Sequence, residues 1–242
     1  MTNMTNKIKT YKKDFEFSYT GSAYSTVELL KTKPEFVEAV YIRPSFTDNC
    51  GLTDLCFTKN IPVICSDKAF GLVNQKENSY VIGVFRKYED DLSLVEPHIA
   101  LVNPSDMGNL GTIIRTAAGF NIKNVAIILP AADLFNPKTI RASMGALFRV
   151  NCEFFAGFAE YISKYREHKL FPFMLDGKIS PDDCNPCLFS LVFGNEATGL
   201  DQSFMNIGQT VKIPLSDSVD SFNLGVAAGI GMYIFAVKNR LL

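Results

Sequence analysis

The sequence of 242 residues predicts an α/β protein in two domains. Three observations carry that expectation. From residue 99 onward, short apolar runs alternate with helix-compatible stretches, the pattern of a parallel sheet with crossover helices. The strands in that alternation lack polar spacing, as a sheet covered on both faces requires. Ahead of it stands a compact set of helices and short strands of about eighty residues, followed by the charged run Arg86-Lys87-Tyr88-Glu89-Asp90-Asp91, which marks a linker. The expected domains are residues 1–94 and 95–242.

Composition fits a well-packed chain. It is 47% hydrophobic and 20% charged, enough to bury a substantial core. A net charge of -1 excludes a strongly basic nucleic-acid binder while leaving room for a local patch. The first thirteen residues are polar and lysine-rich, with no apolar core of a signal peptide, so the expected location is cytoplasmic. Lys7, Lys9, Lys12 and Lys13 form a solvated tail or an RNA contact. Cys50, Cys56, Cys65, Cys152, Cys184 and Cys187 make no dense framework, which suits reduced thiols. Cys184 and Cys187 lack the second pair a zinc site needs and the strand-to-helix setting of a redox pair, so they read as a surface loop. No metal site is expected.

In order, Phe15 to Tyr19 alternates like a short strand and Tyr24 to Thr32 is helical. Val37 to Ile42 is a strand, Ile61 to Cys65 a buried strand, Ser66 to Val73 a short helix and Tyr80 to Phe85 another strand. No catalytic cluster falls in this part. The second part opens with the strand Ile99 to Val102, the polar loop Asn103 to Gly108, a helix from Asn109 to Ala118 ended by Gly119, and the strand Val125 to Leu129. These make a βαβ unit. A helix near Ile140 to Phe148, a strand from Asn151 to Phe155, a helix from Ala159 to Glu167 and a strand from Phe171 to Leu175 lead to Leu188 to Phe193, apolar enough for a central strand.

The last stretch predicts a strand ending at Pro214, a polar loop in which Ser218 to Ser221 offer caps, and a helix whose first turn carries Ser221 and Asn223. Gly225, Ala228, Gly229 and Gly231 occupy the helix interior, where each glycine costs about 1 kcal/mol relative to alanine, so something must approach that face closely. Phe222 to Val237 is nearly free of polar groups. At sixteen residues it falls short of the ~18–20 of a membrane span, and it includes Asn223, so it reads as a buried helix of a soluble protein.

Open parallel sheets bind ligands at the carboxyl ends of their strands. Three polar stretches lie there. Gly108 to Ala117 has neither the GxGxxG spacing of a dinucleotide-binding dehydrogenase nor a lysine after glycine as in a P-loop, which argues against both classes. It places Asn109 near a helix start and Arg115 on an apolar helix, where an arginine needs an ion pair or a cleft. In Phe193 to Leu200, Gly194 permits close approach to the backbone, and Glu196 supplies a carboxylate that serves a site or caps a helix. The third stretch is Ile213 to Ala228.

Taken together, these three stretches resemble the motifs of the SpoU/TrmH family of RNA 2'-O-ribose methyltransferases, in the SPOUT superfamily, over about residues 98 to 240. The N-terminal part is similar in position and size to the family's L30e-like substrate-binding domain, although a frequent His-Gln-Gly is replaced by Glu77-Asn78-Ser79-Tyr80. The resemblance implies a C-terminal α/β domain with a deep trefoil knot, a homodimer, and S-adenosyl-L-methionine as cofactor. Gly194, Ile213, Leu215 and Phe222 match the residues that cradle the cofactor. Asn109, Arg115, Glu196, Ser221 and Asn223 match the polar active-site set. Ribosomal RNA is the expected substrate, with transfer RNA and a catalytically silent RNA-binding relative as alternatives. Because an arginine is always protonated, Arg115 is expected to bind the phosphate beside the target ribose and orient the hydroxyl. Asn109, Ser221 and Asn223 are expected to fix Arg115 and the RNA, and Glu196 to hold the loop geometry. Asn103 stands where relatives often have aspartate, and Gly225 where serine or alanine is common.

Overall fold

A computed structural model of the protein describes residues 8–73, 79–184 and 188–242; Lys7, Glu77, Asn78 and Cys187 lie outside the described residues. In chain order the elements are β1 (Phe17–Tyr19), α1 (Ala23–Thr32), β2 (Val37–Ile42), α2 (Leu52–Thr58), β3 (Val63–Cys65), α3 (Asp67–Leu72), β4 (Val81–Arg86), β5 (His98–Val102), α4 (Met107–Gly119), β6 (Asn124–Ile128), α5 (Pro137–Ala142), β7 (Asn151–Phe155), α6 (Phe158–Lys164), β8 (Lys169–Pro172), β9 (Phe189–Phe193) and α7 (Leu224–Lys238). They fall into two compact units. One comprises Met1–Tyr88 with Asp133–Phe148, the other Glu89–Ala132 with Arg149–Leu242.

The first unit holds a four-stranded sheet in the order β1-β4-β2-β3, with β4 antiparallel to β1 and β2, and β3 parallel to β2. Helix α1 starts where the Ser22 hydroxyl accepts from the Ser25 N–H at 3.2 Å, and it buries Leu29 and Leu30. β3 is not the buried strand expected. It is an edge strand with Val63 and Cys65 exposed, because only one of its sides is paired. Helix α2 escaped sequence reading because seven residues show no clear helical period. The Asp48 carboxylate starts it, accepting from the Leu52 and Thr53 N–H groups at 3.0 and 2.8 Å.

Residues 133–148 belong to this unit although they lie between β6 and β7. The Tyr11 hydroxyl donates to Asp133 and the Ser18 hydroxyl to the Phe135 carbonyl. Phe85 meets Phe135 and Phe148 edge-on, with centroids 6.0 and 5.3 Å apart. A single boundary at residue 95 therefore misses this excursion, which such side-chain contacts across more than a hundred residues hide from a local reading. The helix expected near 140–148 is also divided. Met144 and Gly145 take positive φ of 52° and 80°, which stops α5 and begins a 3₁₀ turn at Ala146–Arg149.

The second unit is built on a five-stranded, wholly parallel sheet in the order β7-β6-β5-β9-β8. β9 is flanked on both sides, which accounts for its uninterrupted burial. Helices α4 and α7 pack together, where a Cβ at Gly225 or Gly229 would make only ordinary contact with Thr112 or Thr116; the close approach is at Gly231, where a Cβ would lie 2.7 Å from the Phe173 ring. α7 is not buried all round. Val226, Tyr233 and Val237 are 49%, 54% and 50% exposed, a stripe at intervals of seven and four residues. No helix among the described residues is long and apolar enough to cross a membrane.

The strand expected to end at Pro214 reduces to a bridge at Val211. Val211 pairs with both Phe173 and Ile179: its N–H donates to the Pro172 carbonyl at 2.7 Å, its carbonyl accepts from Met174 N–H at 2.9 Å, and Lys212 N–H donates to Ile179 at 2.8 Å. Residues 209–212 are thus gripped from two sides of one loop. That loop turns at Gly177, where a Cβ would stand 2.4 Å from the Val211 carbonyl carbon, so no other residue fits without moving the backbone.

At the amino ends of β5 and β9 lies a buried polar chain. His98 Nε2 faces the Ser93 carbonyl at 2.7 Å, so that nitrogen carries the hydrogen and Nδ1 accepts from Tyr161 Oη at 3.0 Å. Tyr161 then accepts from Ser190 Oγ, which accepts from His168 Nδ1 at 2.9 Å. Burial, followed by the neighbouring His168, pushes the His98 pKa down to about 3; burial lowers His168 as well. The folded chain refuses protons that the unfolded chain takes up below about pH 6.5, so stability is full above that value and is lost as pH falls toward 3. Lowering the pH from 6.5 to 5 is expected to remove about 2 kcal/mol through His98 alone. Thermal melting of wild type and His98→Gln across this range checks it: the variant should show the shallower fall in Tm.

Candidate active site

Because every strand of the second unit is parallel, the carboxyl ends of β5 and β9 open on one edge of the sheet. After β5 the chain passes through Asn103, Pro104, Ser105 and Asp106 into α4. Asp106 caps that helix, its carboxylate accepting from the Asn109 N–H at 2.8 Å, which starts α4 two residues earlier than the sequence suggested. After β9 the chain turns sharply between Asn195 and Gly199, whose backbones exchange hydrogen bonds of 3.2 and 2.9 Å. Gly194 enters this turn with no room for a side chain, since a Cβ would lie 2.2 Å from the Gly199 carbonyl carbon. Asn195 reaches across to the Asn103 carbonyl at 2.8 Å.

Glu196 ties the two loops together. One carboxylate oxygen accepts from the Ser105 N–H at 3.0 Å and the Ser105 hydroxyl at 2.7 Å; the other accepts from the Asp106 N–H at 3.1 Å and the Asn109 side-chain amide at 3.4 Å. Partial burial opposes ionisation, but the hydrogen bonds from Ser105 and from backbone N–H groups outweigh it and hold the carboxyl below the usual range. Glu196 does not cap a following helix. It is a strut that is charged at neutral pH, and with four donors on its oxygens it is poorly suited to accept a proton.

The third segment joins through Asn109, whose side-chain oxygen accepts from the Asn223 amide at 3.2 Å. Asn223 in turn accepts from Gly225 N–H at 2.9 Å and is the N-cap of α7. It therefore precedes the helix rather than lying in its first turn, as does Ser221, and the expected caps at Ser218 to Ser221 are not used. Asn109 holds both Asn223 and Glu196; neither asparagine holds Arg115. Six residues beyond Asn109, about one and two-thirds turns on, Arg115 projects from a different side of α4. It is exposed and bonds to no described residue, so of the ion pair and the cleft considered for it the ion pair is absent.

The turn after β9, the stretch ahead of α7 and residues 173–176 after β8 line a cavity of about 450 Å³, within the usual size for a small-molecule site. Gly194, Ile213, Leu215 and Phe222 all line it, as do Glu196 and Ser221. Asn109, Asn223 and Arg115 are not among its walls. Phe173 and Phe193, stacked with centroids 4.6 Å apart, close its floor. The described walls carry two carboxylates, Asp176 and Glu196, and no lysine or arginine. Sequence reading missed Ser105, Asp106, Asn195 and Asp176. Only Asp106 had a local signal, as an aspartate ahead of an apolar helix.

Comparison with known proteins agrees with this architecture. The model of the SpoU rRNA Methylase family matches residues 96–233. A 23S rRNA (uridine(2479)-2'-O)-methyltransferase of Streptomyces viridochromogenes is 29% identical over 175 residues, covering 66% of this chain and 61% of the relative. The 23S rRNA (guanosine(2553)-2'-O)-methyltransferase RlmP of Bacillus subtilis is 28% identical over 173 residues, 69% of each chain. The chain thus spans less than two thirds of the first relative's length. The crystal structure of the SpoU methyltransferase AviRb from Streptomyces viridochromogenes in complex with AdoMet superposes with a TM-score of 0.80 at 20% identity, over 93% of this chain and 91% of that one, which shows the α/β fold. With a family match over more than half of its length, the chain belongs to the SpoU rRNA methylase family.

Proposed function

We propose that the protein transfers a methyl group from S-adenosyl-L-methionine to a ribose 2'-hydroxyl of ribosomal RNA. The observation that carries this reading is the meeting of three segments: residues 173–176 after β8, 193–200 after β9, and 211–222 ahead of α7 line one cavity, to which Glu196 bolts the β5–α4 loop. Its walls fit the cofactor. Gly194 lines the cavity with main chain alone, its missing side chain being required by the Gly199 backbone packed against it, and anionic walls suit a sulfonium cation. Gly194, Ile213, Leu215 and Phe222 would hold it. When bound, it supplies a methyl group already activated by the positive sulfur.

The protein's own residues align and charge the site. Glu196 fixes the β5–α4 loop, and the Asn109–Asn223 pair fixes the start of α7 beside it. Ser221 presents a hydroxyl on the cavity wall. Arg115, always protonated and unengaged by other side chains, anchors a phosphate of the RNA through its planar guanidinium rather than removing a proton.

RNA recognition is assigned to the first unit, in the position of an L30e-like domain. Its ranges carry 14 lysines and arginines against 10 aspartates and glutamates, while the second unit carries 10 against 15, so a net charge of -1 conceals a basic unit of +4 and an acidic one of -5. The relatives' names favour ribosomal over transfer RNA. The apolar stripe of Val226, Tyr233 and Val237, continued by Phe222 at 38% exposure, supports a homodimer closed through α7, which would bring Arg115 into a shared cleft. The grip on residues 209–212 by residues 170–174 and 178–179 supports the trefoil knot. The free thiols of the five described cysteines suit the cytoplasm.

Three measurements test this. Incubation with methyl-labelled cofactor and ribosomal RNA should yield alkali-resistant dinucleotides, the mark of a blocked 2'-hydroxyl; label on a base, or only on transfer RNA, would overturn the substrate. Arg115→Ala should lower methyl transfer by at least about a hundredfold with cofactor affinity within twofold, since the residue lies outside the cavity. Tyr233→Glu should shift the dimer to monomer in analytical ultracentrifugation while leaving the monomer folded.

A further inference from the structure

Both carboxylates of the cavity wall are negative, but they are not equivalent. Glu196 has donors on each of its oxygens. Asp176 has one: its Oδ2 accepts from the Gln202 side-chain amide at 3.1 Å, and Oδ1 bonds to no described residue. Asp176 also stands on an unusually well-fixed turn. Gly177 N–H donates to the Met174 carbonyl at 3.2 Å, Met174 N–H to Val211 at 2.9 Å and Phe173 N–H to Val192 at 2.9 Å. Gly177 is wedged so closely on Val211 that the turn has no space to shift inward. A fixed, exposed carboxylate with one oxygen uncommitted, on a cavity whose other described carboxylate, Glu196, is already engaged, is suited to a ligand's cationic group.

Resting on the reading of the cavity as the S-adenosylmethionine site, we propose that Asp176 is the counter-ion for the ammonium group of the cofactor's amino-acid moiety. It thereby selects ligands that carry this group over truncated thioether nucleosides. Two features favour the ammonium over the sulfonium as the partner. The ammonium has three N–H donors, which a sulfonium lacks, and Asp176 offers an unfilled acceptor rather than diffuse charge. Glu196, by contrast, is saturated with donors from the protein, so its contribution to a cation is field alone. Gln202, also on the cavity wall, donates to the other oxygen and restrains the orientation of the carboxylate.

Isothermal titration of wild type, Asp176→Asn and Gln202→Ala with S-adenosylmethionine, S-adenosylhomocysteine and 5'-methylthioadenosine tests the assignment without reference to turnover. Asp176→Asn should weaken S-adenosylmethionine and S-adenosylhomocysteine alike by about tenfold and leave methylthioadenosine, which has no ammonium group, within twofold. Gln202→Ala should give the same pattern with a smaller loss. Equal weakening of all three ligands by Asp176→Asn would show that the residue acts through the turn and would overturn the proposal, as would unchanged affinity for all three. Failure of the wild type to bind S-adenosylmethionine would instead overturn the reading of the cavity itself, and the proposal with it. Because methylthioadenosine binding requires an intact cavity, its retention also shows that the variants are folded.

Discussion

The ionised carboxylate of Glu196 is the constraint on which the site depends. It occupies a position where two successive backbone N–H groups, of Ser105 and Asp106, converge just ahead of α4, with a hydroxyl and an amide completing the ring of donors. Each such bond to a charged acceptor contributes roughly 1.5–3 kcal/mol, and leaving the donors unmet is costly in its own right. The carboxylate therefore acts as a bolt between loops nearly ninety residues apart. Through Asn109 and Asn223 the same bolt reaches the start of α7, so that strand ends, loop and helix are registered by one connected set of hydrogen bonds. A group so engaged works by holding geometry.

The parallel sheet was largely legible in the sequence, because its strands are short, apolar and spaced by helices with clear period. β7 has the bounds expected of it, and β5, β6 and β9 differ by a residue or so. What failed did so for physical reasons. α2 and α5 are too short to show a period, β3 is apolar but lies at an edge, and the excursion of residues 133–148 is decided by aromatic packing with residues far away in the chain. The site was visible only in outline. Gly194, Glu196 and Asn223 stood out at strand or helix ends, yet nothing local to them states that Glu196 meets Asn109. Arg115, among apolar neighbours in sequence, called for an ion pair or a cleft, and the turn of α4 carries it to solvent with no ion pair among the described residues. The His98–Tyr161–Ser190–His168 chain left no trace in the pattern, since its members come from four separate segments.

The division of charge gives the net value of -1 a different meaning. An acidic second unit with a cavity free of basic side chains is a poor surface for a polyanion but a good one for a small cation. A basic first unit has the opposite preference. In the proposed reading the two ligands of one reaction are thus sorted by electrostatics before any specific contact forms, and raised salt should weaken the RNA far more than the cofactor.

Hydrogen–deuterium exchange with and without S-adenosylmethionine shows whether three separated segments of this chain form one binding cleft. Slowed exchange is expected at the turn of residues 174–177, the loop at 194–200 and the stretch at 211–225, in all three together and nowhere else. Protection in only one of them, or in the sheet of the first unit instead, would contradict it.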